Sequence, residues 1–122
     1  KLGKVSARID DVVNYIPARL CALFIWYALR PMPWTRLRAD AARHPSINAG
    51  WPEAAMSHRL GVVIGGRMYE NGELVQTDEM NAGTRQPTPE DIGKCTQIMT
   101  LAYAKLLFTM GLVSILIVYI TH

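Results

Sequence analysis

Apolar and polar positions are sharply segregated along this chain. Residues 101–120 carry one charge, Lys105, and residues 106–120 carry none. A run of that length is about what a helix needs to cross a bilayer. A second apolar stretch covers residues 16–29, interrupted by Pro17 and Arg19, with only residues 20–29 free of charge. Those ten residues are too few to span alone. The stretch reads equally as a buried or interfacial helix, or as a span extended through residues 12–19 with Arg19 snorkelling or paired inside protein.

Between the two lies a polar segment with its own punctuation. Residues 1–30 read as one helix, kinked near Pro17. Pro31-Met32-Pro33-Trp34 breaks it, and Thr35 can cap a short helix through about Arg43. Residues 44–50 form a loop without helical or strand period. Pro52 suits the first turn of a helix running to about Leu60, with Glu53 near its positive end. Gly61 to Gly66 ends that helix. Asn71-Gly72 between two short strand-like runs is a strong hairpin signal. Residues 76–87 read as an irregular loop. Thr88-Pro89-Glu90-Asp91 starts a helix that continues to Ile120, about 48 Å long at 1.5 Å per residue. The fold class expected is all-α and integral to the membrane. It has a C-terminal transmembrane helix, a second apolar helix near the N-terminus, and a polar helix, loop and hairpin segment between them. Residues 1–30, 31–88 and 89–120 form three parts of a single membrane domain.

Composition changes this picture little. The 122 residues, 50% hydrophobic with a net charge of +3, suffice for one domain. The cations are scattered and form no basic strip, so nucleic acid is not an expected partner. Arg30, Arg36, Arg38 and Arg43 follow the first apolar segment as a cytoplasmic loop would, but Lys1, Lys4 and Arg8 precede it and leave orientation open. Cys21 and Cys95 lack the spacing of a metal or redox pair and read as packing thiols. The chain opens at Lys1 rather than Met, as a fragment of a longer protein or a processed product would.

Candidate chemistry concentrates in two places. Asp10, Asp11 and Asn14 share one end of the first helix and could hold Mg²⁺, which takes one or two carboxylates plus phosphate oxygens. From spacing alone, a solvated helix face with Arg8 as partner is the simpler reading of these residues. Arg19, at apolar depth, calls for a partner such as Asp11 or Asn14, or for an anionic substrate. The loop holds Arg43, His44, Ser46 and Asn48, all donors to phosphate or carboxylate, with Glu53 opening the next helix. His44 and His58 lack a third ligand at zinc spacing. Gly61, Gly65 and Gly66 form no common nucleotide motif.

The order of these residues carries a resemblance. The run from Ser6 to Leu20 resembles the "ARLDD-x-x-N-x-IPARL" segment of the membrane-bound adenosylcobinamide-phosphate synthase family of cobalamin biosynthesis. Arg43-His44, Ser46, Asn48-Ala49-Gly50 and Pro52-Glu53-Ala54-Ala55-Met56 resemble that family's "KH-x-S-P-N-A-G-x-PEAAMAGALGV-x-LGG" signature. Leu60-Gly61-Val62, Gly65-Gly66, Tyr69 and Gly72 continue it in register, and Pro87 to Ile92 resembles the start of the family's last helix. Arg43 stands for the usual lysine and Ile47 for the usual proline. Ser57-His58-Arg59 occupies positions where small residues are common, and Arg67-Met68 replaces a proline-containing turn. The loop 76–86 lacks the usual Pro-x-x-Gly ending.

The resemblance implies a multi-pass protein of the bacterial inner membrane, of which this chain is the C-terminal part, inactive alone. It implies ATP-dependent amide formation between adenosylcobyric acid and aminopropanol phosphate or ethanolamine phosphate. An acyl phosphate formed with Mg²⁺ is the expected route. Arg43, His44, Asn48 and Glu53 are then the catalytic candidates, Arg19, Asn14 and Ser46 the substrate-binding ones, and Asp10 and Asp11 the Mg²⁺ ligands. ATP and Mg²⁺ are the implied cofactors. The corrinoid, the amino-alcohol phosphate, the lipid bilayer and other corrinoid-pathway enzymes are the implied partners. A non-catalytic inner-membrane signalling protein of related fold is the alternative; the intact stretch from His44 to Glu53 favours the synthase.

Overall fold

The computed structural model describes residues 2–27 and 33–121. The chain forms α1 (Leu2–Tyr27), α2 (Trp34–Ala41), α3 (Gly50–Leu60), β1 (Ile64–Glu70), β2 (Glu73–Met80) and α4 (Pro89–Thr121). The end of the helix expected to reach residue 30, and the first half of the break expected over residues 31–34, lie outside the described residues.

Small side chains bring the helices together. Ala22 and Ile25 of α1, Leu37 and Ala41 of α2, Ala54 and Ala55 of α3 and Ala102 of α4 form one buried cluster with Met56, Met80 and Ile98. Alanines at helix contacts let axes approach closely, since interaxial distance follows the side chains at the crossing. Trp26, Trp34 and Trp51 rim this core as a chain of ring contacts with centroids 5.5 and 5.8 Å apart, one from each of α1, α2 and α3. The Arg59 guanidinium donates to the carbonyls of Ile25 and Trp26, satisfying groups that the end of α1 leaves open.

β1 and β2 pair antiparallel around Asn71-Gly72, both with positive φ, as the primed hairpin turn demands. Here the expected loop 76–87 is corrected, because β2 continues to Met80. Its polar end stays in the ladder through a β-bulge. Between the pairs Gly66↔Thr77 and Ile64↔Met80, β1 advances two residues and β2 three. Gly65 sits opposite the extra residue with φ +95°, and a Cβ there would lie 2.3 Å from the Asp78 carbonyl oxygen. Only glycine combines that backbone angle with that approach. Asn81 ends the strand with φ 55° and donates through its side-chain amide to the carbonyls of Ser57 and Val62, tying the hairpin to the end of α3.

Among the described residues, α4 alone is long and apolar enough to cross a membrane. Its large side chains from Leu107 to Ile120 are exposed. A second apolar helix near the N-terminus is not shown: residues 2–27 form α1, but Arg8, Asp10, Asp11 and Arg19 interrupt it and it does not meet that test. α1 and α4 run side by side in the same direction, Pro17 and Leu20 near Met99 and Tyr27 near Phe108. The Lys105 ammonium donates to the Tyr27 carbonyl at 3.1 Å and sits over the Tyr27 ring.

The start of α4 follows its local chemistry. The Asp91 carboxylate accepts from the Thr88 N–H at 2.9 Å, and the Asp91 N–H donates to the Thr88 carbonyl. Arg85 closes on the same carboxylate through two N–H groups at 2.6 and 2.7 Å. The Arg85 guanidinium first, and the Thr88 N–H second, hold Asp91 far below the usual carboxylate range. A carboxylate with a depressed folded pKa contributes stability that is complete above its unfolded pKa and lost as pH falls below it. In detergent micelles, wild-type Tm is therefore expected to drop between about pH 4 and pH 2. Asp91→Asn should lower Tm at pH 7 and flatten that acid limb. An unchanged limb in the variant would show that another carboxylate sets it.

Candidate active site

The polar loop between α2 and α3 is built on two contacts that sequence order alone does not disclose. Asn48 is buried, its amide held at both ends by α1. Its Nδ2 donates to the Asp11 carbonyl at 2.9 Å, and its Oδ1 accepts from Arg19 at 2.9 Å. Arg19 also donates to the carbonyls of Tyr15 and Ile47 and lies over the rings of Tyr15 and Trp51. The expected partner of Arg19, Asp11 or Asn14, is thus corrected. The arginine is satisfied by the loop, and Asn14 instead donates to Asp10 at 2.8 Å. A guanidinium with five donors in a planar fork suits several carbonyl acceptors better than one carboxylate.

The second contact is the tight passage into α3. A Cβ on Gly50 would lie 2.6 Å from both the Ala41 carbonyl oxygen and the His44 Cβ. A residue without a side chain therefore lets the end of α2, His44 and the first turn of α3 stack. The Ser46 hydroxyl accepts from the N–H groups of Asn48 and Ala49, closing the turn that leads into the helix.

This folding brings His44 over Glu53. The Ser46 N–H donates to His44 Nδ1 at 3.0 Å. The same Nδ1 lies 3.2 Å from the Ser46 carbonyl oxygen, so both backbone groups of Ser46 hold this edge of the ring. Nε2 lies 3.6 Å from Glu53 Oε2. The imidazole edge therefore faces the carboxylate across the cleft wall.

His44 and Glu53 line a cleft of about 290 Å³ between the loop and the hairpin. Arg43, Asp40 and Asp78 line it as well. Asp40 is buried and fully engaged: it accepts from His58 Nε2 at 2.6 Å and the Asn81 N–H at 2.9 Å, and pairs with Arg43 at 3.3 Å. Asp40, His58 and Asp78 were not among the expected site residues. The Asp40–Arg43 spacing of three on a short helix reads as a surface pair, and nothing local marks Asp78 on β2. Asp10, Asp11, Asn14, Ser46 and Asn48 line a separate open groove of about 400 Å³ beside α1. The expected site thus divides into two recesses, with Arg43, His44 and Glu53 in one and the acids of α1 in the other. Arg19 braces the loop between them.

Among the described residues no three His, Cys, Asp or Glu side chains group as a metal site. The pair Asp10 and Asp11 matches the weaker demand of Mg²⁺, which fills its octahedron with phosphate oxygens and water. One oxygen of Asp10 is shared with the Asn14 amide.

Comparisons with known proteins extend over most of the chain. The profile of the family described as "CobD/Cbib protein" matches residues 1–99. The cobalamin biosynthesis protein CobD of Rhodobacter capsulatus is 37% identical over 118 residues, covering 95% of this chain and 38% of that protein. CobD of Halalkalibacterium halodurans is 34% identical over 119 residues, covering 89% and 37%. CbiB of Salmonella typhimurium is 37% identical over 107 residues, covering 83% and 34%. The chain spans a little over a third of the length of these relatives. No solved structure matches it.

Asn48→Ala is expected to release the loop from α1. Losing two hydrogen bonds from a buried amide costs roughly 2–3 kcal/mol. Hydrogen exchange should then accelerate at residues 44–50 while α4 stays protected. Gly50→Ala should push His44 away from Glu53; ring resonances of His44 unchanged from wild type would refute that close packing.

Proposed function

The chain belongs to the CobD/Cbib protein family, and from that premise we propose that it acts in cobalamin biosynthesis. The proposed reaction is ATP-dependent amide formation between adenosylcobyric acid and aminopropanol phosphate or ethanolamine phosphate. It takes place in the wider setting of a multi-pass protein of the cell membrane. The observation that carries the chemistry is the pairing of His44 with Glu53 at 3.6 Å inside the cleft.

Joining an amine to a carboxylate sets two tasks. The carboxylate needs a leaving group, and the ammonium must lose a proton before its nitrogen can attack. ATP with Mg²⁺ supplies the phosphoryl group for the first task, and Asp10 and Asp11 are the residues that would hold the metal. Glu53 serves the second task. Its carboxylate accepts the ammonium proton, and the His44 ring beside it confines that carboxylate to the cleft wall. The amine nitrogen then bonds to the activated carboxyl carbon, and phosphate departs with the bonding pair. Arg43, half exposed at the cleft wall, offsets negative charge as it develops. Asn48, Arg19 and Ser46 act by position. They fix the loop whose one side faces the α1 groove and whose other side faces the cleft. Substrate contacts from Asn14 and Ser46 belong to the groove side, and other corrinoid-pathway enzymes remain the proposed protein partners.

The reading is tested by corrinoid amidation with the full-length gene product in membranes. Glu53→Gln should lower kcat by about 10²–10⁴-fold, the range of a lost general base. Asp11→Asn should raise the Mg²⁺ concentration needed for half-maximal rate. Its backbone carbonyl, and so the Asn48 contact, is kept. Wild-type rates in both variants would remove these residues from the reaction.

A further inference from the structure

Within that proposed reaction, we infer that the cleft is the binding site for the small amino-alcohol phosphate, with Asp78 of the hairpin receiving its ammonium and Arg43 its phosphate. Size argues first. A recess of about 290 Å³ lies at the lower edge of ligand pockets, roughly 300–1,000 Å³. It holds a three-carbon amino-alcohol phosphate and excludes a corrin ring.

Charge argues second. Asp40 is consumed by His58, the Asn81 N–H and Arg43. The carboxylates left on the walls are Glu53, from the first turn of α3, and Asp78, from β2; the cation is Arg43. A recess with one cationic and two anionic walls selects a molecule carrying both signs. Aminopropanol phosphate is such a zwitterion, its ammonium and phosphate separated by a short chain. A planar guanidinium fork recognises phosphate oxygens, and an ammonium between two carboxylates lies where Glu53 can take its proton.

Backbone geometry argues third. Asp78 borders the cleft at the bulge of β2, opposite Gly65. Bulges re-aim side chains beside functional sites. The close approach of Gly65 to the Asp78 carbonyl fixes the backbone of β2 at this point of the cleft wall.

The test is binding to the full-length gene product in detergent micelles, by calorimetry, with three probes: aminopropanol phosphate, propyl phosphate and aminopropanol. Asp78→Asn should weaken aminopropanol phosphate by about tenfold or more, the usual effect of losing a charge-assisted bond, and leave propyl phosphate unchanged. Arg43→Gln should weaken both phosphates and leave aminopropanol unchanged. Asp78→Glu should recover part of the loss. Equal weakening of both phosphates by Asp78→Asn, no effect of that variant, or no binding to the wild-type full-length protein would each overturn the inference. The full-length gene product separates this outcome from the proposed function. Amide formation with an unchanged KM for the amine in Asp78→Asn sinks the cleft assignment alone. The predicted binding pattern without amide formation sinks the reaction alone.

Discussion

One buried amide organises the polar half of this protein. Asn48 is at once a donor to the backbone of α1 and an acceptor from the Arg19 side chain. An amide is suited to this because it carries both functions on one planar group. A carboxylate would set an acceptor against the Asp11 carbonyl, and an ammonium would set a donor against the guanidinium. With Asn48 fixed, the turn closed by Ser46 is fixed, and with it the direction in which His44 enters the space above α3. Arg19 contributes more than a bond: its guanidinium fills the gap between Tyr15 and Trp51, so the same cation closes a polar contact and an aromatic one.

A second hub lies on the opposite side of the loop. Asp40 draws together α2, α3 and the residue that ends β2 through three different donors. A buried carboxylate is costly unless its lone pairs are matched, and here they are. Of the donors, Arg43 is the one turned toward solvent. The buried charge therefore also governs where an exposed one sits. The same carboxylate joins three elements and forms part of the cleft wall.

How much of this was legible in the sequence depended on range. Features decided within four residues read correctly: the Asn71-Gly72 turn, the stop at Gly61, and the start at Thr88 with Asp91 reaching back. The apolar tail read correctly because length and composition alone define it. The signature from Arg43 to Met56 was visible as an ordered set of polar types. Its division between two recesses was not, because it depends on which way α1 and the hairpin face. The partner of Arg19 lies 29 residues away, and no local pattern points to Asn48 over Asp11. The end of β2 was missed because Gln76, Thr77, Asp78 and Glu79 show no alternation; they stay paired through a bulge enabled by two glycines on the other strand. Asp40 and His58 were passed over since each looks solvent-facing until α2 and α3 are packed.

The contact between Lys105 and Tyr27 has a metric consequence. α4 is one uninterrupted rod, anchored at Asp91 by Arg85 and marked at Lys105 by the end of α1. Those fourteen residues measure about 21 Å. With the apolar remainder of α4 set in a bilayer, an ammonium held against a carbonyl and an aromatic face is a depth mark at the headgroup level. The rod then acts as a fixed standoff, carrying the polar half at a constant height above the lipid.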